Sequence, residues 1–450
     1  MARTTTTKAP IALLIALSAG CAQLEPAKAP VVTADTLGGP SSPITHVVII
    51  FQENRTVDNL FNGLPGADTV AYGKNSKDQQ VQLQPILLTA PYDISHKHNA
   101  FQAEYANGNL NGFDLVVSHC KRQSPCPPAG LRAYAYVPQS EVQPYFTLAE
   151  DYAFADRMFQ TNQGPSFPAH QYILSGTSTV KANSNLRAAE NPVDPVGKFT
   201  GGCDSPQGSS VSLIDQYGRE NHTMYPCFDR PALTDLLEAK SLTWRYYQAH
   251  TGPGLWNGPD AILHIRNGSG FRKEVRAPQS WILYDISAGR LANVSWVTPN
   301  LQESDHAGQT NGSGPSWVAS VVNEIGKSQY WNNTAIFVTW DDWGGWYDHV
   351  APKQYNSYEL GFRVPLIVIS PYAKTGYVSH AQHEFGSILK FVEETFGLGS
   401  LGTTDVRADD LSDCFNFGRA PRRFTTIPAP HDAAYFLHQP ISTEAPDDDY

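Results

Sequence analysis

Four short apolar runs constrain this chain more than any other feature: Ile44–Phe51 (ITHVVIIF), Val294–Thr298 (VSWVT), Ala335–Trp340 (AIFVTW) and Val364–Ile369 (VPLIVI). Their apolar stretches are continuous rather than alternating. They therefore read as strands covered on both faces, the condition of a parallel sheet held between layers of helices. Helical patterns lie between them at Gln143–Tyr152, Ala169–Ser175, Pro231–Lys240, Ser316–Ile325 and Phe385–Thr395. Pro231 suits a first helical turn, where the N–H that proline lacks would go unpaired anyway. Strands alternating with helices predict an α/β three-layer sandwich with a mostly parallel central sheet. Residues 62–140 and 180–290 are rich in Gly, Pro, Asn and aromatics, and read as long insertions capping one sheet edge. No repeat and no dividing linker is visible, so residues 43–450 are expected to form one domain.

The first 20 residues read as a targeting segment. Arg3 and Lys8 precede a short apolar run, Ile11–Ala19, that ends at Gly20-Cys21. The run is too short to span a bilayer and suits a secretory signal. Small residues directly before a cysteine predict lipidation of Cys21, hence membrane contact through that lipid and a place in the cell envelope, with plain secretion or periplasmic release as the other outcome. Residues 21–42, rich in Ala, Pro and Thr, read as a flexible tether. Export permits disulfides. Cys120–Cys126 would close a short loop and Cys203–Cys227 a longer one, leaving Cys414 free, although spacing alone does not set connectivity. With 32 basic and 43 acidic side chains the net charge is -11, a field that repels nucleic acid.

In open α/β sheets ligands bind beyond the carboxyl ends of the strands. The first run leads directly into Gln52-Glu53-Asn54-Arg55, a carboxylate and an amide that can both offer oxygen to one cation. The third leads into Asp341-Asp342-Trp343-Gly344-Gly345-Trp346-Tyr347-Asp348-His349. Adjacent carboxylates at a strand end repel unless a cation or donors neutralise them. Glu53, Asn54, Asp341 and Asp342 make an oxygen-rich set that favours one hard divalent ion, Ca, Mg or Mn, over Zn. In Gly164-Pro165-Ser166-Phe167-Pro168-Ala169-His170, Ser166 precedes a helix expected to start near Pro168. It reads either as a nucleophile beside anion-binding N–H groups or as an ordinary helix cap. His306, in Glu303-Ser304-Asp305-His306, and His96, in Asp93-Ile94-Ser95-His96, are candidate proton donors.

Taken in order, Gln52-Glu53-Asn54-Arg55-Thr56-Val57-Asp58, Gly164-Pro165-Ser166, Glu303-Ser304-Asp305-His306 and Asp341-Asp342-Trp343-Gly344-Gly345-Trp346 resemble the bacterial phosphoesterase family. That family holds non-specific phospholipases C and a branch of acid phosphatases, within the alkaline phosphatase superfamily. The resemblance covers roughly residues 44–398 and is carried by four blocks in order, each weak alone. It implies metal ligation by Glu53, Asn54, Asp341 and Asp342, a nucleophilic Ser166, and His96 and His306 near the phosphoryl or leaving group. It also implies a phosphate-ester or phospholipid substrate. Around the nucleophile many phospholipase members carry Thr-x-Pro-Asn-Arg, where this chain has Ser166-Phe167-Pro168-Ala169-His170. A sulfatase reading fails for want of a Cys/Ser-x-Pro-x-Arg block. The reading from a different class is a non-catalytic, surface-anchored carbohydrate- or protein-binding lipoprotein, with 9 Trp and 21 Tyr to stack on sugars.

Overall fold

Eight strands make the central sheet: β1 (His46–Gln52), β2 (Ala153–Ala155), β3 (Trp244–Tyr247), β4 (Val275–Arg276), β5 (Val294–Val297), β6 (Thr334–Trp340), β7 (Leu366–Ile369) and β8 (Tyr377–Ser379). Their order is β4-β3-β5-β1-β6-β7-β2-β8. Every neighbouring pair is parallel except the two made by β7, which runs antiparallel to β6 and to β2. This is a computed structural model, and it describes residues 1–2, 42–120 and 130–442. The signal segment, the tether, Cys21 and the side chains of the expected Cys120–Cys126 pair lie outside the described residues.

All four apolar runs are strands. β6 is buried at every position and β1 at all but His46, because both lie mid-sheet with helices over each face. The main helices are α1 (His98–Tyr105), α2 (Gln143–Asp151), α3 (Ser166–Ser175), α4 (Leu233–Ala239), α5 (Trp281–Ser287), α6 (Gly314–Lys327) and α7 (Phe385–Thr395). They pack in two groups, α3 with α4 and α7, and α6 with α2 and α5, giving a three-layer α/β sandwich. The described residues from 42 to 442 fall in one compact unit. Among the described residues no helix is long and apolar enough to cross a membrane.

Three expectations need correction. α3 starts at Ser166, two residues before the expected Pro168, which sits in the first turn where a missing N–H is harmless. α4 starts at Leu233, so Pro231 precedes the helix, and the Ala232 N–H donates to Asp235 Oδ2 at 2.9 Å. Residues 180–290 also do more than cap the sheet, since they supply its edge strand β4 and the neighbouring β3. Cys203 and Cys227 form a disulfide in that interval, and Cys414 is free and buried.

Candidate active site

The register of the sheet assembles the site. Gln52 of β1 is level with Trp340 of β6, so Glu53 and Asp341 leave the sheet side by side at its carboxyl edge. The Asp341 N–H donates to the Gln52 carbonyl at 3.0 Å, extending the pairing one step past the strands. Asn54 then turns into left-handed backbone (φ 62°), a conformation asparagine tolerates better than most residues. Its N–H donates to Asp341 Oδ1 at 3.1 Å. Asp341 Oδ1 also accepts the Asp342 N–H at 2.7 Å, and Asp342 Oδ1 accepts the Gly344 N–H at 2.8 Å. Gly344 has φ 62°, and a Cβ there would stand 2.5 Å from the Asn54 carbonyl oxygen, so only glycine lets the two strand exits approach this closely.

α3 supplies the hydroxyl. Ser166 Oγ lies 3.3 Å from Glu53 Oε2 and 3.4 Å from Asp342 Oδ2. The first insertion supplies His96 and the loop after β5 supplies His306. Tyr92, Ile94, Phe101 and Phe113 of that insertion pack with Trp343 and Trp346, so the tryptophans of the Asp341–His349 segment seat the strand and turn that carry His96. Glu53, Asn54, His96, Ser166, His306, Asp341 and Asp342 are all fully buried. All seven expected residues thus fall in one cluster.

The Asn54 amide bridges its two halves. One arm of the amide lies 3.0 Å from Asp341 Oδ1 and 3.3 Å from Glu53 Oε2; the other lies 3.1 Å from His96 Nε2 and 3.0 Å from His306 Nε2. With no cation present, the NH2 arm has to face the carboxylates and the oxygen the imidazoles, which then need an Nε2–H each. Yet His96 Nδ1 is 2.8 Å from the Ile94 carbonyl and His306 Nδ1 2.8 Å from the Ala307 carbonyl, contacts that require Nδ1–H. That orientation therefore demands two imidazolium ions around one amide. The reverse needs only neutral imidazoles and places the amide oxygen among carboxylate oxygens, an arrangement that a cation resolves. Asp341 Oδ2 has no hydrogen-bond partner among the described residues, which is costly for a buried carboxylate oxygen. The donor set fits a metal ion.

Sequence reasoning missed His170 as a member of the site. Its Nε2 is 3.2 Å from Glu53 Oε1 and 3.9 Å from Asp341 Oδ2, and Glu53, His170 and Asp341 form a group able to hold a metal ion. The second insertion orients the ring. Tyr246 of β3 donates its hydroxyl to the Trp256 carbonyl at 2.7 Å and lies 3.4 Å from His170 Nδ1, and Trp256 stacks on the imidazole at 6.3 Å. A phenol that spends its proton on a carbonyl accepts from Nδ1–H, which leaves the Nε2 lone pair for an ion. The only sequence signal was four-residue spacing: positions 166 and 170 share a helix face.

Two further features shape the site. Phe167 N–H donates to Asn191 Oδ1 at 2.9 Å, so this group at the start of α3 is engaged rather than waiting for an anion. Asp305 is fully buried, and burial pushes its carboxyl up to about 6, against the opposing pull of the Tyr145 hydroxyl at 2.8 Å, Arg55 and the Trp340 indole at 3.0 Å. Arg55 Nε donates to the Asp305 carbonyl at 2.9 Å, tying the His306 loop to the exit of β1. His349, beside the acidic block in sequence, stands apart from the site with Asp58 and Asp68.

The Phosphoesterase family model matches residues 44–399. The non-hemolytic phospholipase C of Pseudomonas aeruginosa is 24% identical over 440 residues, 84% of this chain and 58% of that protein. Phospholipase C A of Mycobacterium tuberculosis is 23% identical over 447 residues, 85% of this chain and 79% of that protein. The chain thus spans less than two thirds of the Pseudomonas relative. Among solved structures, an alkaline phosphatase superfamily protein from Vibrio parahaemolyticus aligns with 83% of this chain and 71% of its own, at a TM-score of 0.37 and 11% identity.

Proposed function

Because this chain belongs to the phosphoesterase family, we propose that it hydrolyses phosphate esters with Ser166 as the nucleophile and one divalent ion held by Glu53, Asn54, Asp341 and Asp342, with His170 as a further ligand. The observation that carries this is the convergence of two buried carboxylates, Glu53 and Asp342, on one serine hydroxyl, with Asp341 beside them through the β1–β6 register. Two carboxylates beside a hydroxyl disfavour its alkoxide, so the serine needs their charge neutralised before it can attack. Bound there, a divalent ion supplies that neutralisation, lowers the hydroxyl pKa and meets the charge on the phosphoryl oxygens. The oxygen-rich set keeps Ca, Mg or Mn ahead of Zn, and the imidazole of His170 favours Mn within that group.

Ser166 Oγ attacks phosphorus, the P–O bond to the leaving group breaks, and the departing alkoxide takes a proton. The proton that Ser166 releases passes to the free lone pair of His306 Nε2 and from there to the alkoxide, with His96 as the neighbour that shares the Asn54 amide. Water then attacks the phosphoseryl group, the P–Oγ bond breaks and Ser166 regains its proton. The relatives' names support a phospholipid substrate with loss of the phosphorylated head group. A complete burial of the cluster favours the second reading, a small phosphomonoester. The Cys203–Cys227 disulfide supports export, with anchoring through Cys21. The deciding measurement uses the purified full chain on a soluble aryl phosphate, its aryl diester and phosphatidylcholine. Each is assayed before and after chelation and with single cations restored. Hydrolysis untouched by chelation would remove the proposal; hydrolysis of only the first substrate selects the monoesterase.

A further inference from the structure

A cavity of about 370 Å³ opens where Gly176 and Thr177 end α3, at the far end of that helix from Ser166. At 1.5 Å of rise per residue it begins roughly 15 Å from the serine. Three arginines line it, Arg187, Arg230 and Arg407, against a single carboxylate, Glu359. Arg407 is matched: it donates to Glu359 Oε2 at 2.7 Å and to both Glu384 oxygens at 2.7 and 2.8 Å. Arg187 Nε pairs with Glu359 Oε1 at 3.6 Å, but that carboxylate is shared with Arg407 and also accepts the Tyr172 hydroxyl at 2.6 Å, so one carboxylate serves two guanidinium groups.

Arg230 differs from both. It is 2% exposed, and among the described residues no carboxylate pairs with it. Its guanidinium donates to the Thr179 carbonyl at 3.0 Å and to Gln171 Oε1 at 2.6 Å, and lies 5.5 Å over the Phe228 ring, while Nε has no hydrogen-bond partner. Burial pushes its pKa down to about 9. Those partners are uncharged, and the partial negative charge at the C-terminal end of α3 offsets only part of a full charge. A buried guanidinium lacking its counter-charge is the costly half of an ion pair. Here it faces a cavity with an excess of donors, in a chain whose net charge is -11.

We propose that this cavity is a second anion site, which binds a phosphate group between Arg187 and Arg230, separate from the catalytic centre. Planar guanidinium donors pair with two phosphate oxygens at once. The volume lies in the range of small-molecule pockets and leaves room for an organic substituent, so inorganic phosphate and a small phosphomonoester both fit.

The test titrates the chelated full chain with inorganic phosphate, phosphocholine and acetate, reading heat and melting temperature. Wild-type protein and Ser166→Ala should both bind phosphate with a stoichiometry near one. Arg230→Met should lose at least tenfold in phosphate affinity while kcat on an aryl phosphate, measured with metal restored, stays within twofold of wild type. Since Arg230 is buried, the half-buried Arg187 provides an independent variant. Arg187→Gln should weaken phosphate three- to tenfold and leave the melting temperature without phosphate unchanged. Binding of phosphate without phosphocholine supports the site and assigns free phosphate as its ligand. No saturable binding to chelated wild type, unaltered binding by both arginine variants, or acetate binding as well as phosphate would overturn it. Loss of binding in Ser166→Ala would show that the catalytic centre had been measured instead.

Discussion

Two clusters of buried charge hang from the same pair of strand exits, and they are neutralised in different ways. Asp58 follows Glu53 by five residues and Asp348 follows Asp342 by six, so each exit contributes carboxylates to both clusters. In the outer one the chain provides its own cation. Arg363 holds Asp348 bidentately, Nε to Oδ1 at 2.8 Å and Nη2 to Oδ2 at 3.0 Å, and lies 3.4 Å from Asp58. Its Nη1 closes on the carbonyls of Asp68 and Asp156. In the inner one, Glu53, Asp341 and Asp342 meet backbone N–H groups, the Ser166 hydroxyl and imidazoles, none of them a permanent cation. On the proposed function, the difference separates a charge cluster that is finished by folding from one that needs an exchangeable ion to complete it.

The sharpest way to break this contrast acts on the hydroxyl proposed as the inner cluster's nucleophile. Ser166→Ala should lower kcat on the order of 10⁴-fold or more, since it removes the attacking oxygen itself, while metal stoichiometry measured on the purified variant stays that of wild type. Retained turnover would take Ser166 out of the chemistry. Next in size, the two clusters should respond with opposite signs to loss of one charge. Arg363→Met leaves Asp58 and Asp348 buried against each other and should cost about 3–5 kcal/mol in urea unfolding. Asp341→Asn, unfolded in chelator, should be neutral or more stable by about 1 kcal/mol, yet bind no stoichiometric metal. Equal destabilisation of both variants would mean that the inner cluster too is completed by folding.

A smaller effect belongs to the imidazoles. His306→Gln keeps a group that can reach the Asn54 amide but cannot give up a proton. It should cost about 10²–10³-fold in kcat on an alkyl phosphate and much less on an aryl phosphate, whose leaving group needs no proton. Equal losses on both substrates would assign His306 to positioning Asn54 alone.

How much of this was legible in the sequence follows from how local each cause is. Glu53-Asn54 and Asp341-Asp342 were readable because a fully apolar strand cannot continue into carboxylates, so the exits announced themselves. β2, β4 and β8 were not readable: two or three residues carry no period, and pairing with neighbours alone makes them strands. Val364–Ile369 was read as a strand, but the antiparallel direction of β7 is set by the chain's return path, which residue pattern does not encode. His170 was quoted with its block but not placed at the metal. Its role depends on Tyr246 and Trp256 of the second insertion, about eighty residues away, whose contribution no local spacing reveals. It also stands where many phospholipases C carry arginine, so likeness to the family pointed away from a ligand.

Glu303 offers the finest test, because among the described residues no lysine or arginine pairs with this buried carboxylate. Burial pushes it up to about 7, against hydrogen bonds from Gln279 Nε2, at 2.5 Å from Glu303 Oε2, and from Asn300. A carboxyl whose folded pKa lies above its ordinary 4.5 binds its proton more tightly in the folded state. Its contribution is therefore complete below about pH 4.5 and is lost as pH rises through 7. Glu303→Gln, neutral throughout, should remove that slope: level with wild type near pH 4.5 and more stable by about 1–3 kcal/mol at pH 8, read from urea midpoints across the range. Arg363 gives Asp348 a partner that Glu303 lacks, so Asp348→Asn leaves a buried guanidinium without its bidentate carboxylate and should destabilise. If Glu303→Gln is instead destabilising at every pH, the Glu303 carboxylate has a cationic partner when ionised, and the division between clusters closed by folding and carboxylates left without a cation would have to be redrawn to include it.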